Sequence, residues 1–549
     1  MNLFKTLQSH LAGEVTIDAK SRARCSEDRS PFQIMPAAVV FPKHTRDVRA
    51  VVRFVTAHKS KFPELSITAR AAGTDVAGGP LNDSIILDFT RHFDHLIAIG
   101  DHKALAEPGV RYRDFERASL RKNLLLPSFP ASRSICALGG MVANNAGGEK
   151  TLFYGKTDRH VTQLRVVLSD GHEYLIEPVS GAALKHKLAL HSFEGDIYRG
   201  IFRLVTRHQR QLAASRPRVS KNSSGYALWD VWNPKTGVFD LTKLFVGSQG
   251  TLGLITQIGF RLVTPHRHSR MLALFVNDLA LLPAVVRAVL NFKPESFEMY
   301  DKSVLKILIR FFPKFISLFG RNFFALLKDF LPEIGVVARS LRLPEYVLTA
   351  EFTGDSEHEV VARTRDAANA LVAYGVQTHL TSSHAEALKY KIIRRESFSV
   401  LQQHSGKKEA VTFIDDLIVP PEQWPAFIPK LRAALDAYPE LTYTMFGHIG
   451  DGNLHVVPLL DVRDPKTREI IADLTRTVNN LVIEFHGSIT AEHNDGLVRS
   501  PFLTQMFGRS SYDLFKKTKH LFDPLNIFNP KKKIGADFDY ALDHLKHTL

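Results

Sequence analysis

Between Phe446 and His455 the chain reads FGHIGDGNLH. Asp451-Gly452 flanked by strand-like residues is a strong signal for a tight hairpin with a primed turn. With those two residues as the turn, Gly450 faces Asn453, Ile449 faces Leu454 and His448 faces His455. Directly opposed residues on one sheet face have Cβ atoms roughly 5 Å apart. Two imidazoles at that separation can share a metal ion, and imidazole suits zinc and other late divalent metals. Further on, Ala491-Glu492-His493 puts a carboxylate and another histidine in a polar turn. The bland alternative is a pair of satisfied histidines beside a hairpin.

At 549 residues the chain is too long for one ordinary domain. Its net charge of +15 fits nucleic acid, an anionic membrane surface or the steering of small acidic substrates. Nucleic acid ranks last, because the aromatics show no stacking signature and no basic tail stands apart. Cys25 and Cys136 are the only cysteines, which excludes a four-cysteine zinc site or an iron–sulfur cluster held by this chain alone. The opening MNLFKTLQSHLAGE has no long apolar core, and no apolar run reaches membrane-span length. These features predict a cytoplasmic protein, soluble or peripheral on the inner face of the membrane.

Residues 1–35 read as a helix and then a polar arm. PAAVVFPKHTRDVRAVVRFV predicts a strand, a proline turn and an amphipathic helix. Its N-cap is Thr45, and Val48, Val51, Val52 and Val55 form its apolar face. LSITARAAGTDVAGG predicts a strand ending in a small-residue loop, and SIILDF a further strand. Such loops let backbone N–H groups approach an anion closely. A second glycine-rich stretch, ALGGMVANNAGGEKTLFYGKT, suits close packing against a flat ligand or a pyrophosphate. It is not a nucleotide-triphosphatase loop, because Lys150 stands where that loop needs glycine. No GxGxxG follows a first strand, so a Rossmann cofactor site is unsupported. VTQLRVVLSDG reads as strand and turn, and LFVGSQGTLGLITQIGFRLV as strand, glycine loop, strand.

These segments together resemble the flavin domain of vanillyl-alcohol-oxidase-type (PCMH-type) FAD enzymes. Within that superfamily they are similar to the branch of D-lactate dehydrogenases, glycolate oxidase flavin subunits and D-2-hydroxyglutarate dehydrogenases. The resemblance is carried by PxxVVFP, RAAGT, PxxPASRSICALGGMVANNAGG, YGKTDRHV, KNSSGY, GSQGTLGLIT, GHIGDGNLH and FDPLNIFNP, in that order. It implies an α+β fold: a two-subdomain FAD-binding domain with an inserted α+β cap of antiparallel sheet and helices. The implied boundaries are 1–265 for the FAD domain, 266–485 for the cap and 486–549 for a segment returning to the FAD domain.

The resemblance implies that Ala71, Ala72, Gly73, Thr74 and Asp75 form the pyrophosphate loop. Further FAD contacts fall on Pro127, Ser132, Gly139, Gly140, Asn144, Gly147, Tyr154, Gly155, Gly250, Thr251, Ile255 and Asn529. Thr74 stands near where relatives with covalent FAD carry histidine, so the cofactor is expected to be non-covalent. His448, His455 and Glu492 match the family's ligands for a divalent metal, zinc or manganese, and His493 matches its catalytic base. Arg395 and Ser399 match its substrate-carboxylate segment, and Asn453 stands where it can contact the same group. The chain departs from the family at RAAGT for RGGGT, at Gln249 for the usual Glu, at NPKK for NPGK, and at Glu492-His493-Asn494-Asp495-Gly496 for EHGIG. Asp495 is expected to cap a helix. Ile414 stands where D-2-hydroxyglutarate enzymes carry lysine, which weakens the case for a second substrate carboxylate.

Within residues 301–345 eight basic residues stand against four acidic ones, among many Phe, Leu and Ile. Lys302, Lys306, Arg310 and Lys314 share a helix face. Two readings stand for this insert: a helical part of the cap, or a basic amphipathic helix in a membrane interface.

The expected activity is oxidation of a small D-2-hydroxy acid, of the D-lactate or D-2-hydroxyglutarate class, to the 2-oxo acid. Electrons would then pass to a quinone, an electron-transfer flavoprotein, a cytochrome or a separate iron–sulfur subunit. The alternatives are a flavin oxidase of another alcohol with structural histidines, and a basic membrane- or nucleic-acid-binding protein on a vestigial flavin fold.

Overall fold

The computed structural model describes residues 3–313, 335, 342–402 and 407–546. The first stretch is helix Leu3–Gln8, strand β1 (Glu14–Thr16) and helix Ala19–Cys25, so the expected polar arm carries regular structure. β2 (Ala38–Phe41), β3 (Ile67–Arg70) and β4 (Ile85–Asp88) follow. They form a sheet of order β1-β2-β4-β3, with β2, β4 and β3 parallel and β1 antiparallel to β2. Helix Thr45–His58 buries Val48, Val51, Val52 and Val55 against it, as the spacing predicts. The helix begins one residue earlier than expected: His44, not Thr45, is the N-cap. Asp47 closes the first turn by accepting the N–H groups of Lys43 (2.8 Å) and His44 (3.3 Å).

β5 (Leu96–Gly100), β6 (Lys103–Ala106), β7 (Val161–Val167) and β8 (Glu173–Ile176) belong to a second sheet. A short ribbon of β9 (Trp232–Asn233) and β10 (Val238–Phe239) precedes its last member, β11 (Leu254–Arg261). The order is β5-β6-β11-β7-β8, antiparallel throughout. The expected strand ahead of the glycine loop is instead a helical turn, Thr242–Phe245. A short apolar run does not distinguish the two by periodicity.

The third sheet comprises β12 (His268–Val276), β13 (Ser296–Asp301), β14 (Tyr346–Gly354), β15 (Gln377–Leu380), β16 (Glu409–Ala410), β17 (Leu417–Ile418), β18 (Thr442–His448) and β19 (Asn453–Leu460). Its order is β15-β12-β14-β13-β18-β19-β16, with β17 also paired to β19, all antiparallel. Alternation along β12 shows that both faces are covered. Leu272, Leu274 and Val276 join the core beneath helices Leu282–Leu290, Trp424–Asp436 and Pro465–Glu484. Met271, Ala273 and Phe275 pack on the other face with helix Lys302–Arg310 and helix His384–Gln402.

Of the basic insert, Lys302–Arg310 is a helix whose Val304, Ile307 and Leu308 are buried. Residues 314–334 and 336–341, on which the membrane reading also rests, lie outside the described residues. No helix among the described residues is long and apolar enough to cross a membrane.

The chain then packs helix Leu503–Phe522 on the second sheet's core and Ile527 and Phe528 on the first. Asp495 stands at the N-cap position of the turn Gly496–Arg499, but its side chain makes no cap bond. It is fully buried in an ion pair with Lys533 (2.7 Å) and accepts from Ser224 Oγ (2.8 Å) and Gly225 N (2.9 Å).

Lys532, also buried, donates to the Leu81 carbonyl. Burial pulls its pKa down to about 7. An unfolded lysine titrates near 10.4, so between those values the unfolded chain binds the extra proton. Stability is therefore expected to rise as pH goes from 7 towards 10, and Lys532→Met to flatten the rise. Melting temperatures of both proteins at pH 7 and 9 test this; equal slopes would refute it.

Candidate active site

The hairpin forms with a register two residues from the predicted one. Ile449–Asp451 coil into a 3-10 turn and Gly452 closes it at φ 77°. A Cβ at Gly452 would collide with the Val419 carbonyl oxygen, so no other residue fits without displacing backbone. His448 pairs with Asn453 and Phe446 with His455, so His448 and His455 are diagonal neighbours rather than opposed. Their rings lie 5.4 Å apart, perpendicular.

Glu492 joins them. Its Oε1 is 3.3 Å from His448 Nε2, 3.3 Å from His455 Nε2 and 3.8 Å from His493 Nε2. The other nitrogen of two of these rings is anchored. Glu298 on β13 holds His448 Nδ1 at 2.7 Å, and Asp415 holds His493 Nδ1 at 3.0 Å. A carboxylate on the far nitrogen fixes a ring's tautomer and orientation, as in metal-bound histidines. His493 also stacks on His455, centroids 5.2 Å apart.

Asp416, His455, Glu492 and His493 bring potential ligand atoms within 4.8 Å of one another. Asp416, however, is occupied. Its Oδ2 accepts from Thr490 Oγ1 (2.6 Å) and from the N–H groups of Ala491 (2.9 Å), Glu492 (2.9 Å) and His493 (2.8 Å). Its Oδ1 accepts from Asn453 Nδ2 (3.1 Å). Asp416 therefore shapes the loop that presents Glu492 and His493, and the donor set of His448, His455 and Glu492 fits a divalent ion.

The electrostatics follow from burial and pairing. Burial raises Glu492, but Lys221 and His448 outweigh it and hold the carboxyl well below its usual range. Burial leaves His455 below the ordinary imidazole value. It also opposes charge on His448, which Glu298 overcomes, raising that residue. For His493, Asp415 and Asp416 outweigh burial and raise the imidazole to about 10.

The cluster forms one wall of a cavity of about 680 Å³, within the range of small-molecule and cofactor sites. Much of the rest of the lining is glycine-rich. It includes Ala71, Ala72, Gly73, Thr74, Asp75, Ser132, Gly139, Gly140, Asn144, Gly147, Gly250 and Ile255. Among the described residues the N–H groups of Ala72, Gly73 and Thr74 bond to no protein acceptor, which suits an anion. A Cβ at Gly140 would meet only Ala71, at 3.6 Å, so the bare backbone leaves cavity space that a side chain would fill. Asp75 accepts from Asn144 Nδ2 (2.6 Å) and Gly79 N (2.7 Å), and Gln249 Nε2 donates to Asn144 Oδ1 (3.3 Å). Gln249 Oε1 accepts from Gly496 N (2.9 Å), linking the cradle to the Glu492 loop. An ionised Glu at 249 has no donor for Asn144, so this departure from the family pattern is put to use.

Pro127, Tyr154, Gly155, Thr251 and Asn529 do not line the cavity. Asn529 stands behind it, accepting from Thr68 Oγ1 (2.8 Å) and donating to the carbonyls of Gly79 (2.9 Å) and Gln249 (2.7 Å). Thr251 bonds Tyr226 Oη (2.7 Å). Asn453 is fully buried on Asp416 and Leu417 and also lies outside the lining. Arg395 lines the cavity, and its Nη2 lies 2.9 Å from both oxygens of Glu149. Burial pushes Glu149 up, but Arg395, Lys391 and Arg394 hold it down at about 2. Ser399 is on the same helix, its side chain outside the described part.

Sequence reasoning missed Asp415, Asp416, Glu298, Glu149, Lys221 and the closeness of Arg394, whose Nη2 is 3.4 Å from His448 Nδ1. The Asp415-Asp416 pair inside an apolar segment, TFIDDLIVPPE, was the available signal.

Known proteins share this architecture. The chain is 28% identical to D-2-hydroxyglutarate dehydrogenase of Pantoea ananatis over 98% of this chain and 52% of that protein. It thus spans about half the length of the first such relatives. Against glycolate oxidase subunit GlcD of Bacillus subtilis it is 28% identical, covering 93% of this chain and 92% of that one. Against D-lactate dehydrogenase of Archaeoglobus fulgidus the figures are 25%, 92% and 94%. The fold matches 4-ethylphenol oxidase from Gulosibacter chungangensis at TM-score 0.67 and 15% identity, over 97% of this chain and 96% of that one. It matches p-cresol methylhydroxylase at TM-score 0.67 and 15% identity, over 98% and 97%. Residues 36–175 match the FAD binding domain and residues 265–533 the C-terminal domain of FAD linked oxidases. With these two matches, in this order along the chain, and the PCMH-type fold in place, the chain belongs to the family of FAD-linked oxidases.

Proposed function

We propose that this protein oxidises a small D-2-hydroxy acid to the corresponding 2-oxo acid, using non-covalent FAD and a divalent ion, zinc or manganese. The observation that carries the reading is the convergence of three imidazole Nε2 atoms on Glu492 Oε1 in the cavity that also holds the glycine-rich cradle. The cradle of 71–75, Gly140 and Gly250 would hold FAD, which supplies the hydride acceptor when bound. His448, His455 and Glu492 would hold the ion, which supplies Lewis acidity to the substrate hydroxyl and positive charge that drives His493 towards its neutral form.

The protein's own groups do the rest. His493, held at Nδ1 by Asp415, presents Nε2 to the cavity and takes the hydroxyl proton there. Glu149 fixes the Arg395 guanidinium, whose remaining N–H groups bind the substrate carboxylate. Asn453 acts indirectly, by orienting Asp416. Electrons leave to a quinone, another flavoprotein, a cytochrome or a separate iron–sulfur subunit.

The test is an anaerobic visible spectrum of the purified protein titrated with D- and L-2-hydroxy acids, with and without a chelator. Bleaching of the flavin band by a D-acid is expected, abolished by chelation and restored by zinc or manganese. A flavin that no hydroxy acid bleaches would overturn the substrate class and leave an oxidase of another alcohol with structural histidines.

A further inference from the structure

Lys221 comes from the loop ahead of the turn Leu228–Asp230, far in sequence from the hairpin and from Glu492. Its side chain is 2% exposed. Its ammonium lies 3.2 Å from Glu492 Oε2 and 3.5 Å from Asp451 Oδ2. A buried ammonium needs ionic or hydrogen-bond partners, and here two carboxylates flank it. The neighbouring buried Lys156 is used differently. It donates to Ser223 Oγ (2.7 Å) and to the carbonyls of Asn222 (2.5 Å) and Ala491 (2.9 Å).

The two oxygens of Glu492 thus have separate surroundings. Oε1 faces the imidazoles; Oε2 faces Lys221. Gly147 makes room for this arrangement, since a Cβ there would stand 3.0 Å from Oε2. Asp451 sits in the turn directly after His448 and balances the charge of Lys221. The lysine therefore does not take Glu492 wholly for itself.

We propose that Lys221 is a positioning residue for metal binding. By holding Oε2 it presents Oε1 alone, as a single-oxygen ligand, to an ion shared with His448 and His455. The proposal rests on the metal reading of this site. It implies a compact donor set of two nitrogens and one oxygen, which suits a four-coordinate zinc ion with one position left for substrate. Released from Lys221, the carboxylate can turn and offer both oxygens, which favours an ion that takes six ligands, such as manganese.

The test uses FAD-loaded protein stripped of metal and titrated with zinc and with manganese against a competing chelator. Metal content after gel filtration is read in parallel. Lys221→Met is expected to weaken zinc binding roughly ten- to a hundredfold and manganese binding less. Lys221→Gln keeps one donor for Oε2 in nearly the same volume and is expected to show a smaller loss in the same direction. It carries the test if the methionine variant does not fold, as judged by flavin absorbance and circular dichroism. Zinc affinity within about threefold of the parent overturns the proposal. Equal losses for both metals also overturn it, since general loosening would produce that. A parent protein that binds neither metal overturns the metal reading itself, and the role of Lys221 with it.

Discussion

His493→Ala is expected to slow flavin reduction by a D-2-hydroxy acid roughly 10²- to 10⁴-fold, the usual contribution of a positioned general base. Bound FAD and bound metal are expected to stay, because His493 is not in the glycine-rich cradle and is not one of the three proposed ligands. Its Nδ1 is held by Asp415, which Arg499 in turn contacts at 3.3 Å, so the ring is fixed from behind. The check is stopped-flow flavin reduction at saturating substrate, with FAD and metal measured on the same sample. A rate within about tenfold of the parent would remove His493 from the base role.

Asp416→Ala is expected to be the most damaging substitution near the site that touches no ligand. Asp416 is fully buried, and its oxygens take the hydroxyl of Thr490, the N–H groups of residues 491–493 and the amide of Asn453. Removing the acceptor leaves those donors buried, at about 1–3 kcal/mol for each one left unsatisfied. A loss of at least about 3 kcal/mol follows. The three N–H groups belong to the segment carrying Glu492 and His493, so metal binding and flavin reduction are expected to fall with stability. Urea unfolding alongside metal analysis tests this. An alanine variant with the parent's midpoint and metal content would show that the loop holds its shape without Asp416.

The hairpin illustrates how far a sequence carries. Asp451-Gly452 marks the turn correctly, but the 3-10 coil of Ile449–Asp451 lengthens the loop and moves the register by two. A shift of two keeps every side chain on its own face, whereas a shift of one would have turned His455 away. His448 and His455 thus stay on one face although the predicted register was wrong. The glycine-rich loops were legible because bare backbone near a ligand leaves a compositional trace. The supporting carboxylates were not. Glu298, Asp415 and Asp416 sit singly or as a pair among apolar residues, and only the assembled sheet shows which ring or loop each one holds. Asp495 was misread for the same reason: its partner Lys533 is 38 positions away, beyond any local pattern.

The edge of the first sheet carries a consequence for how the protein is made. β3 is the outer strand, and its Ile67 exchanges backbone bonds with Ile527 (2.7 Å) and Asn529 (2.8 Å). Thr68 is tied to Asn529 across 461 positions of chain. At roughly 5–20 residues per second, a ribosome needs about 25 to 90 seconds to cover that interval. Through all of it the strand that leads into the 71–75 loop has an open edge, the kind of surface that pairs with the wrong neighbour. Closure of that edge then waits until the chain has passed residue 529, and a nascent chain paused before residue 527 is a species that chaperones would have to shield.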